Sequence, residues 1–344
     1  MNITEVDSLD GYEALHYCED TDTGLRALIS IHSTQHGPAA GGCRLWNYAS
    51  LEEAKTDVQR LSKGMTYKNR SAQLPLGGGK SVIIGEKKTP EMMRAFGRFV
   101  DALDGRYFTA EDVGISPSDM EIVAEVTPYV AGLEKGEYAS GDPSPVTAKG
   151  VFACLARSVE YRLGKSDLTN VKVAVQGLGH VGWHLASYLH NAGAQLLVTD
   201  LNNDLVKKAV AEFGAVAIPL DEIYAVEADV FAPCALGAVL NEETVDQLKV
   251  SVVVGAANNQ LSGPDIGDLL NSKDIFYAPD YVVNSGGIIN VAAEILKCDD
   301  PSFVSSRIES LTQTLDKIIE LAERENIGMH SAADQYVEAQ LNKA

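Results

Sequence analysis

Hydrophobic positions along the chain follow two rhythms, and the element changes where one gives way to the other. From about residue 24 the stretch GLRALISIHS spaces apolar residues as a strand does, and SLEEAKTDVQRLSKGMTYKNRSA then shifts to a helical period. Ser50 is suited to cap that helix, with Glu53 completing a capping box. Next, LPLGGGKSVII (Leu74 to Ile84) sets three glycines directly before Lys80, followed by apolar, β-branched residues suited to a strand buried on both faces. TPEMMRAFGRFVDAL predicts a second helix, GRYFTAEDVG a short strand running into a polar turn, and SPSDMEIVAEV another helix. Glycines and prolines in LEKGEYASGDPSPVTAKG mark a domain junction, with a helix AKGVFACLARSVEYRLG leaving it.

Beyond the junction strands and helices alternate. VKVAVQGLGHVGWHLASYLHNAGAQLLVTDLNND reads as strand, glycine turn, helix and strand; LVKKAVAEFG adds a helix, and AVAI, EADVFAPCA and VSVVVGAANNQ add strands. DIFYAPDYVVNSGG then leads into another helix, and the tail from about Ser305 is helical in period. Such alternation implies a doubly wound parallel sheet. The expected fold is α/β in two domains, residues 1–145 and a Rossmann-type domain over 146–324, with a helix over about 325–344 free to pack back on the first.

Within the second domain Gly177, Gly179 and Gly182 meet the fingerprint G-x-G-x-x-G, which follows a predicted strand and opens a predicted helix. Asp200 answers it at the end of the next strand. The glycines permit a tight turn and close approach of pyrophosphate to a helix N-terminus. Asp200 would accept hydrogen bonds from ribose hydroxyls and repel a 2′-phosphate, so NAD is expected over NADP. Glycines that merely pack helix on strand are the alternative.

Composition changes the picture in few respects. The 344 residues suit two domains, each with its own core. A net charge of −20 disfavours nucleic acid and anionic membrane surfaces as partners. Five cysteines without CxxC spacing read as reduced thiols, and the N-terminus lacks a basic region followed by an apolar run, so a cytoplasmic protein is expected. No His/Cys ligand pattern points to a metal.

Lys80 carries three readings. Gly79, Lys80 and Ser81 supply the end of a P-loop, but Leu74 stands where its first glycine belongs and Pro75 lies inside the loop. A surface lysine after a turn is the second. A lysine in a glycine-lined, buried place is the third, where desolvation disfavours the charged form and makes a base. Lys63 and Lys68 complement a helix C-terminus. Asp112 reads as a turn residue or as the N-cap of the next helix.

GPAAGGCR, KGMTYKN, LPLGGGKSVI, TAEDVG, GDPSPVTAKG, FAPCALG, GAANNQL and APDYVVNSGGIINV together resemble the dehydrogenases of leucine, phenylalanine and valine, relatives of glutamate dehydrogenase. The resemblance runs through nearly the whole chain, in order. It implies NAD-dependent, reversible oxidative deamination of an L-amino acid to a 2-oxo acid and ammonium. It also implies an N-terminal substrate-binding and oligomerisation domain, and a homo-oligomer between dimer and octamer. By the same resemblance Lys68 binds the substrate carboxylate, Lys80 is the general base and Asp112 assists proton transfer. Gly41 and Gly42 line the substrate site, and Gly177, Leu178, Gly179, His180, Val181 and Gly182 hold pyrophosphate. Thr147, Ala256, Asn258 and Asn259 lie near nicotinamide and substrate, although the asparagines also suit a strand-end turn. Two lysines in one cleft cannot both be comfortable as ammonium; with Lys68 paired to a carboxylate, Lys80 is the natural neutral amine.

The side-chain pocket is expected to be apolar. Glutamate dehydrogenases carry a lysine before the glycine pair, where this chain has Ala40, and typically a serine where it has Val291; Ile288 shares that helical face. Ala110 resembles the leucine enzymes, whereas Ala40 replaces their leucine and leaves extra room. A branched-chain substrate is favoured, with phenylalanine the competitor and a noncatalytic NAD-sensing module the reading from another class. Cys43, where relatives often carry threonine, has no assigned effect.

Overall fold

A computed structural model describes residues 1–342. Packing divides the chain into two compact units: the first holds Met1–Pro143, Ile288–Val304 and residues from Gln340 onward, the second Ser144–Gly287 and Ser305–Ala339.

The first unit opens with β1 (Asn2–Val6), β2 (Ala14–Asp20), β3 (Leu25–Ser33) and β4 (Ala39–Trp46), then α1 (Leu51–Ser71), β5 (Gly77–Ile84), α2 (Pro90–Asp101), β6 (Tyr107–Glu111) and α3 (Pro117–Ala124). Its sheet runs β1-β2-β3-β5-β4-β6. The first three pairings are antiparallel, while β4 lies parallel to both β5 and β6. The strand expected after the glycines is β5, buried at every position but its last. Ser50 caps α1 by accepting the Glu53 N–H at 3.1 Å, but the Glu53 carboxylate takes the Ala49 N–H at 2.7 Å, so the capping box closes one residue early. On one sheet face Ala27, Ile29 and Ile31 pack with Phe96, Phe99 and Met120; on the other Leu15, Leu28 and Val82 pack with Ala54 and Val58 of α1.

Close packing of α1 on β5 depends on a missing side chain. A Cβ at Gly78 would overlap the Thr66 hydroxyl and backbone nitrogen and come within 2.6 Å of its Cα, whereas one at exposed Gly64, also in α1, would meet nothing within 4 Å. Gly78→Ala is therefore expected to lower unfolding stability by about 3 kcal/mol or more, at or above the usual overpacking range. Gly64→Ala should raise it by up to about 1 kcal/mol. Urea unfolding of both variants checks the pair, and equal stabilities would contradict the packing argument.

The second unit contains α4 (Ser144–Leu163), β7 (Lys172–Gln176), α5 (His180–Asn191), β8 (Gln195–Thr199), α6 (Asn203–Phe213), β9 (Val216–Ala217), β10 (Val230–Pro233), α7 (Glu242–Gln247), β11 (Val252–Val253), α8 (Pro264–Ser272), β12 (Phe276–Tyr277) and α9 (Asp280–Val283). The strands form one sheet, β12-β11-β10-β7-β8-β9, with every pairing parallel. Strand order reverses at β7, so the loop after it lies at the switch point where doubly wound sheets bind ligands. Helix α4 starts at Ser144, earlier than expected, and takes Thr147 into its first turn. Helix α10 (Gly286–Ile295) begins in the second unit and belongs to the first from Ile288 onward. Helices α11 (Phe303–Glu325) and α12 (Met329–Leu341) form the tail. The last two residues of the expected terminal helix lie outside the described residues.

All five cysteines are free, with Cys18, Cys43 and Cys154 buried. Among the described residues no helix is long and apolar enough to cross a membrane, and no cluster of three or more His, Cys, Asp or Glu side chains is arranged to hold a metal.

Candidate active site

In the first unit the site is built where β4, β5 and β6 run side by side. Ala40 pairs with Gly78, while Gly41 pairs with Thr109 and Gly42 with Ala110. A Cβ at Gly41 would overlap the Gly79 carbonyl oxygen, and one at Gly42 would lie 2.9 Å from the Asp112 Cβ. The missing side chains let the end of β6 close on β4 and bring Asp112 to Lys80. The Lys80 side chain is 8% exposed, and its Nζ lies 2.8 Å from Asp112 Oδ2. Gly77 to Gly79 are strand residues, and the chain continues as strand after Lys80, so neither a P-loop nor an exposed turn describes this stretch.

Asp112 Oδ2 also accepts from Arg44 Nε at 3.2 Å. Burial alone would raise the Asp112 carboxyl, but Lys80 and Arg44 outweigh it and hold the group below its usual range. With a depressed folded value, the stabilisation is fully present above the ordinary aspartate range near about 3.9. It is lost as pH falls through the lowered value. Capping of α3 falls to Ser116, boxed with Asp119, so Asp112 is not its N-cap.

Lys68 is half-buried in the last turn of α1. The next residue fixes that turn to β5, because Asn69 Nδ2 donates to the Gly77 carbonyl at 2.6 Å. Lys63 is exposed, with Nζ 5.3 Å from the Tyr67 ring centroid. Cys43 is fully buried, and burial pushes its thiol up to about 12, which suits packing rather than reactivity.

Ile288 is half-buried and Val291 buried on α10. The Glu294 carboxylate, one turn on, accepts the backbone N–H groups of Gly132 at 2.8 Å and Leu133 at 3.3 Å, together with the N–H and hydroxyl of Ser140 at 3.2 and 2.7 Å. Asn290 Nδ2 donates to the Ser140 carbonyl at 2.8 Å. A Cβ at Gly132 would lie 3.9 Å from that of Ala110, so this clamp ties the helix bearing Ile288 and Val291 to a segment lying against Ala110. Glu294 carries no motif signal, since its partners are more than 150 residues away, and GPAAGGCR holds Arg44 without announcing its partners Asp112 and Asp57.

In the second unit Gly177 has φ +99°, a value that favours glycine, and Gly182 packs where a Cβ would overlap the Gly177 carbonyl oxygen. Around Gly179 a Cβ would meet nothing within 4 Å, leaving room beside the N-terminus of α5 at His180, Val181 and Gly182. Asp200 Oδ2 accepts the Leu178 N–H at 2.6 Å, and Oδ1 the Asn202 N–H at 2.7 Å. The acidic residue thus shapes the fingerprint turn and keeps lone pairs for ribose hydroxyls. An open space over free helix N–H groups, with a carboxylate alongside, fits a dinucleotide.

Asn258 and Asn259 are exposed. Asn258 Oδ1 accepts from Asn284 Nδ2 at 2.9 Å, a side chain that also donates to the Ala256 carbonyl at 3.1 Å. Asn259 has φ +51°, and its backbone carbonyl accepts the Ala238 N–H at 2.6 Å, so the pair sits in a bend held by the Asn258 amide and the Asn259 backbone. Gly286 packs so closely on Val146 and Thr147 that a Cβ would overlap the Val146 carbonyl oxygen.

Comparison with known proteins agrees with this arrangement. Residues 13–129 match the family described as Glu/Leu/Phe/Val dehydrogenase, dimerisation domain, and residues 196–343 match Glutamate/Leucine/Phenylalanine/Valine dehydrogenase. The leucine dehydrogenase of Geobacillus stearothermophilus is 47% identical over 333 residues, 96% of this chain and 90% of that protein. The phenylalanine dehydrogenase of Caldalkalibacillus thermarum is 44% identical over 351 residues, 100% of this chain and 95% of that protein. Among solved structures, the L-tryptophan dehydrogenase of Nostoc punctiforme superposes with a TM-score of 0.86 at 40% identity, over 96% of each chain. With two-unit architecture, fingerprint and lysine motifs all accounted for, the chain belongs to the Glu/Leu/Phe/Val dehydrogenase family.

Proposed function

We propose that this protein catalyses the reversible, NAD-dependent oxidative deamination of an apolar L-amino acid, a branched-chain one such as leucine above others. Amino acid, NAD⁺ and water give the 2-oxo acid, ammonium, NADH and a proton. The observation that carries the reading is a buried lysine, Lys80, in ion contact with Asp112 on strands stripped of side chains at Gly41 and Gly42. Support for the substrate class comes from the relatives and from Ala40, Ala110, Ile288 and Val291, none of which offers a charge to a side-chain carboxylate.

In this reading Lys68 pairs with the substrate α-carboxylate, and Lys80 Nζ takes a proton from the water that adds to the substrate carbon. Asp112 stays ionised and assists that proton transfer by accepting a hydrogen bond from the lysine nitrogen and stabilising the ammonium that forms. NAD, when bound, supplies the acceptor for the two electrons that leave the substrate. Gly177 to Gly182 hold its pyrophosphate, Asp200 its adenine ribose, Thr147, Ala256 and Asn258 border the nicotinamide, and Asn259 serves the substrate. The first unit binds substrate and mediates assembly into a homo-oligomer; the second binds NAD.

Initial rates of NADH formation with leucine, valine, phenylalanine and glutamate test the assignment. Leucine or valine should lead, phenylalanine should follow because Ala40 leaves room, and glutamate should be poor. A leading rate with glutamate overturns the pocket reading, and no NADH with any amino acid overturns the enzyme. A companion test concerns Asp200→Asn, which keeps an acceptor for the Leu178 N–H. Its kcat/KM ratio for NADP over NAD should rise roughly tenfold or more, the scale of one charged hydrogen bond. An unchanged ratio places the discrimination elsewhere.

A further inference from the structure

We propose that Arg44, aimed by Asp57, is a positioning residue that holds the Asp112 carboxylate in place while the proton on Lys80 comes and goes. The inference rests on the reading of Lys80 and Asp112 as the proton-transfer pair. Asp112 follows the last residue of β6, ahead of the exposed residues Val113 and Gly114, and has no regular strand pairing there. Its side chain is steadied instead by two cations on one oxygen, Lys80 Nζ at 2.8 Å and Arg44 Nε at 3.2 Å.

Arg44 comes from the body of β4, paired with Val82 of β5, so its origin is rigid. Its Nη1 donates to Asp57 Oδ2 at 3.1 Å. Asp57 in turn accepts from Tyr48 OH at 2.7 Å and from Arg60 Nη2 at 3.0 Å. The guanidinium therefore spans two carboxylates at a fixed angle, with Arg44, Asp57 and Asp112 side chains only 21%, 17% and 22% exposed. A planar fork can serve both acceptors at once, whereas an ammonium is a point charge that serves one.

The consequence concerns the catalytic cycle. When Lys80 becomes uncharged, Asp112 would lose its only neutraliser in a largely desolvated place if Arg44 were absent. It would then swing toward solvent or hold the Lys80 proton more tightly. With Arg44 present, the carboxylate stays ionised and aligned in both states of Lys80. The carboxylate also accepts the Val113 backbone N–H, and the Cys43 thiol and Tyr107 phenol beside it, both buried and pushed up, add no charge.

The test is kcat and KM for the preferred amino acid across a pH series, for the full-length protein and for Arg44→Gln, Arg44→Lys and Asp57→Asn. Arg44→Gln should lower kcat roughly 10- to 100-fold, the scale of one charge-assisted hydrogen bond, with KM changed less than about threefold. The pH at which kcat reaches half its plateau should move upward, because Lys80 alone then neutralises Asp112. Arg44→Lys should recover part of the rate, and Asp57→Asn should show a smaller change in the same sense while keeping the arginine. An unmoved pH profile in both Arg44→Gln and Asp57→Asn overturns the proposal, whatever the loss of rate or stability. Full turnover in a Lys80→Ala variant would overturn the underlying pair instead, so the two failures are told apart.

Discussion

Lys80→Ala is expected to abolish turnover while nucleotide binding survives. Loss of a positioned general base costs roughly 100- to 10,000-fold in rate. The upper part of that range applies because Arg44, the other cation on Asp112, does not give up its proton and cannot stand in as a base. The fold should tolerate the change, since Asp112 keeps Arg44 as a cationic partner and is not stranded as an unpaired buried charge. Gly177 to Gly182 and Asp200 lie in the second unit, so NAD affinity should stay within about twofold of the parent, a change of about 0.4 kcal/mol. Stopped-flow NADH formation and a separate nucleotide titration measure the two quantities. Undiminished turnover in this variant refutes the assignment of Lys80.

Lys68→Ala should act on substrate binding. An ammonium on a carboxylate within a partly desolvated cleft loses roughly a hundredfold or more in affinity when truncated, much of it from the carboxylate left without a partner. KM for the amino acid should therefore rise by about that factor, with a smaller fall in kcat. The helix end itself should hold, because Asn69 and Thr66 fasten that turn to β5 independently of Lys68. An unchanged KM would count against the carboxylate role, and loss of thermal stability without a KM change would make Lys68 a structural cation.

The second unit was readable from sequence because its signal is local. A strand, a Gly177-to-Gly182 turn, a helix and Asp200 follow one another within a single βαβ unit, and each step has its own spacing rule. In the first unit, by contrast, β4 hides behind alanine and glycine, poor strand formers by propensity, although their small size is what lets neighbouring backbone close in. β1 and β2 also pass unnoticed beside the stronger pattern of β3. Lys80, Lys68 and Asp112 could be picked out by motif, but the network around them could not. Arg44 meets Asp112 across 68 residues, and Glu294 meets Ser140 across 154. Nothing in the local spacing of an arginine or glutamate announces such partners. The P-loop alternative for Lys80 was undone by geometry alone: the glycines serve backbone packing inside a strand, and strand rather than helix continues directly after Lys80.

The buried thiols have a practical corollary at the bench. Oxidants and alkylating reagents attack thiolate, and burial pushes Cys18 up to about 11 and Cys43 and Cys154 up to about 12. In mildly basic buffer these three should ignore iodoacetamide, and Cys234, likewise pushed up to about 12 by burial, should lag, leaving half-exposed Cys298 as the site that a maleimide dye reaches first. Any later wave of labelling at Cys43 would then time the opening of the strands that cradle Lys80, a stopwatch for local breathing that requires no introduced residue.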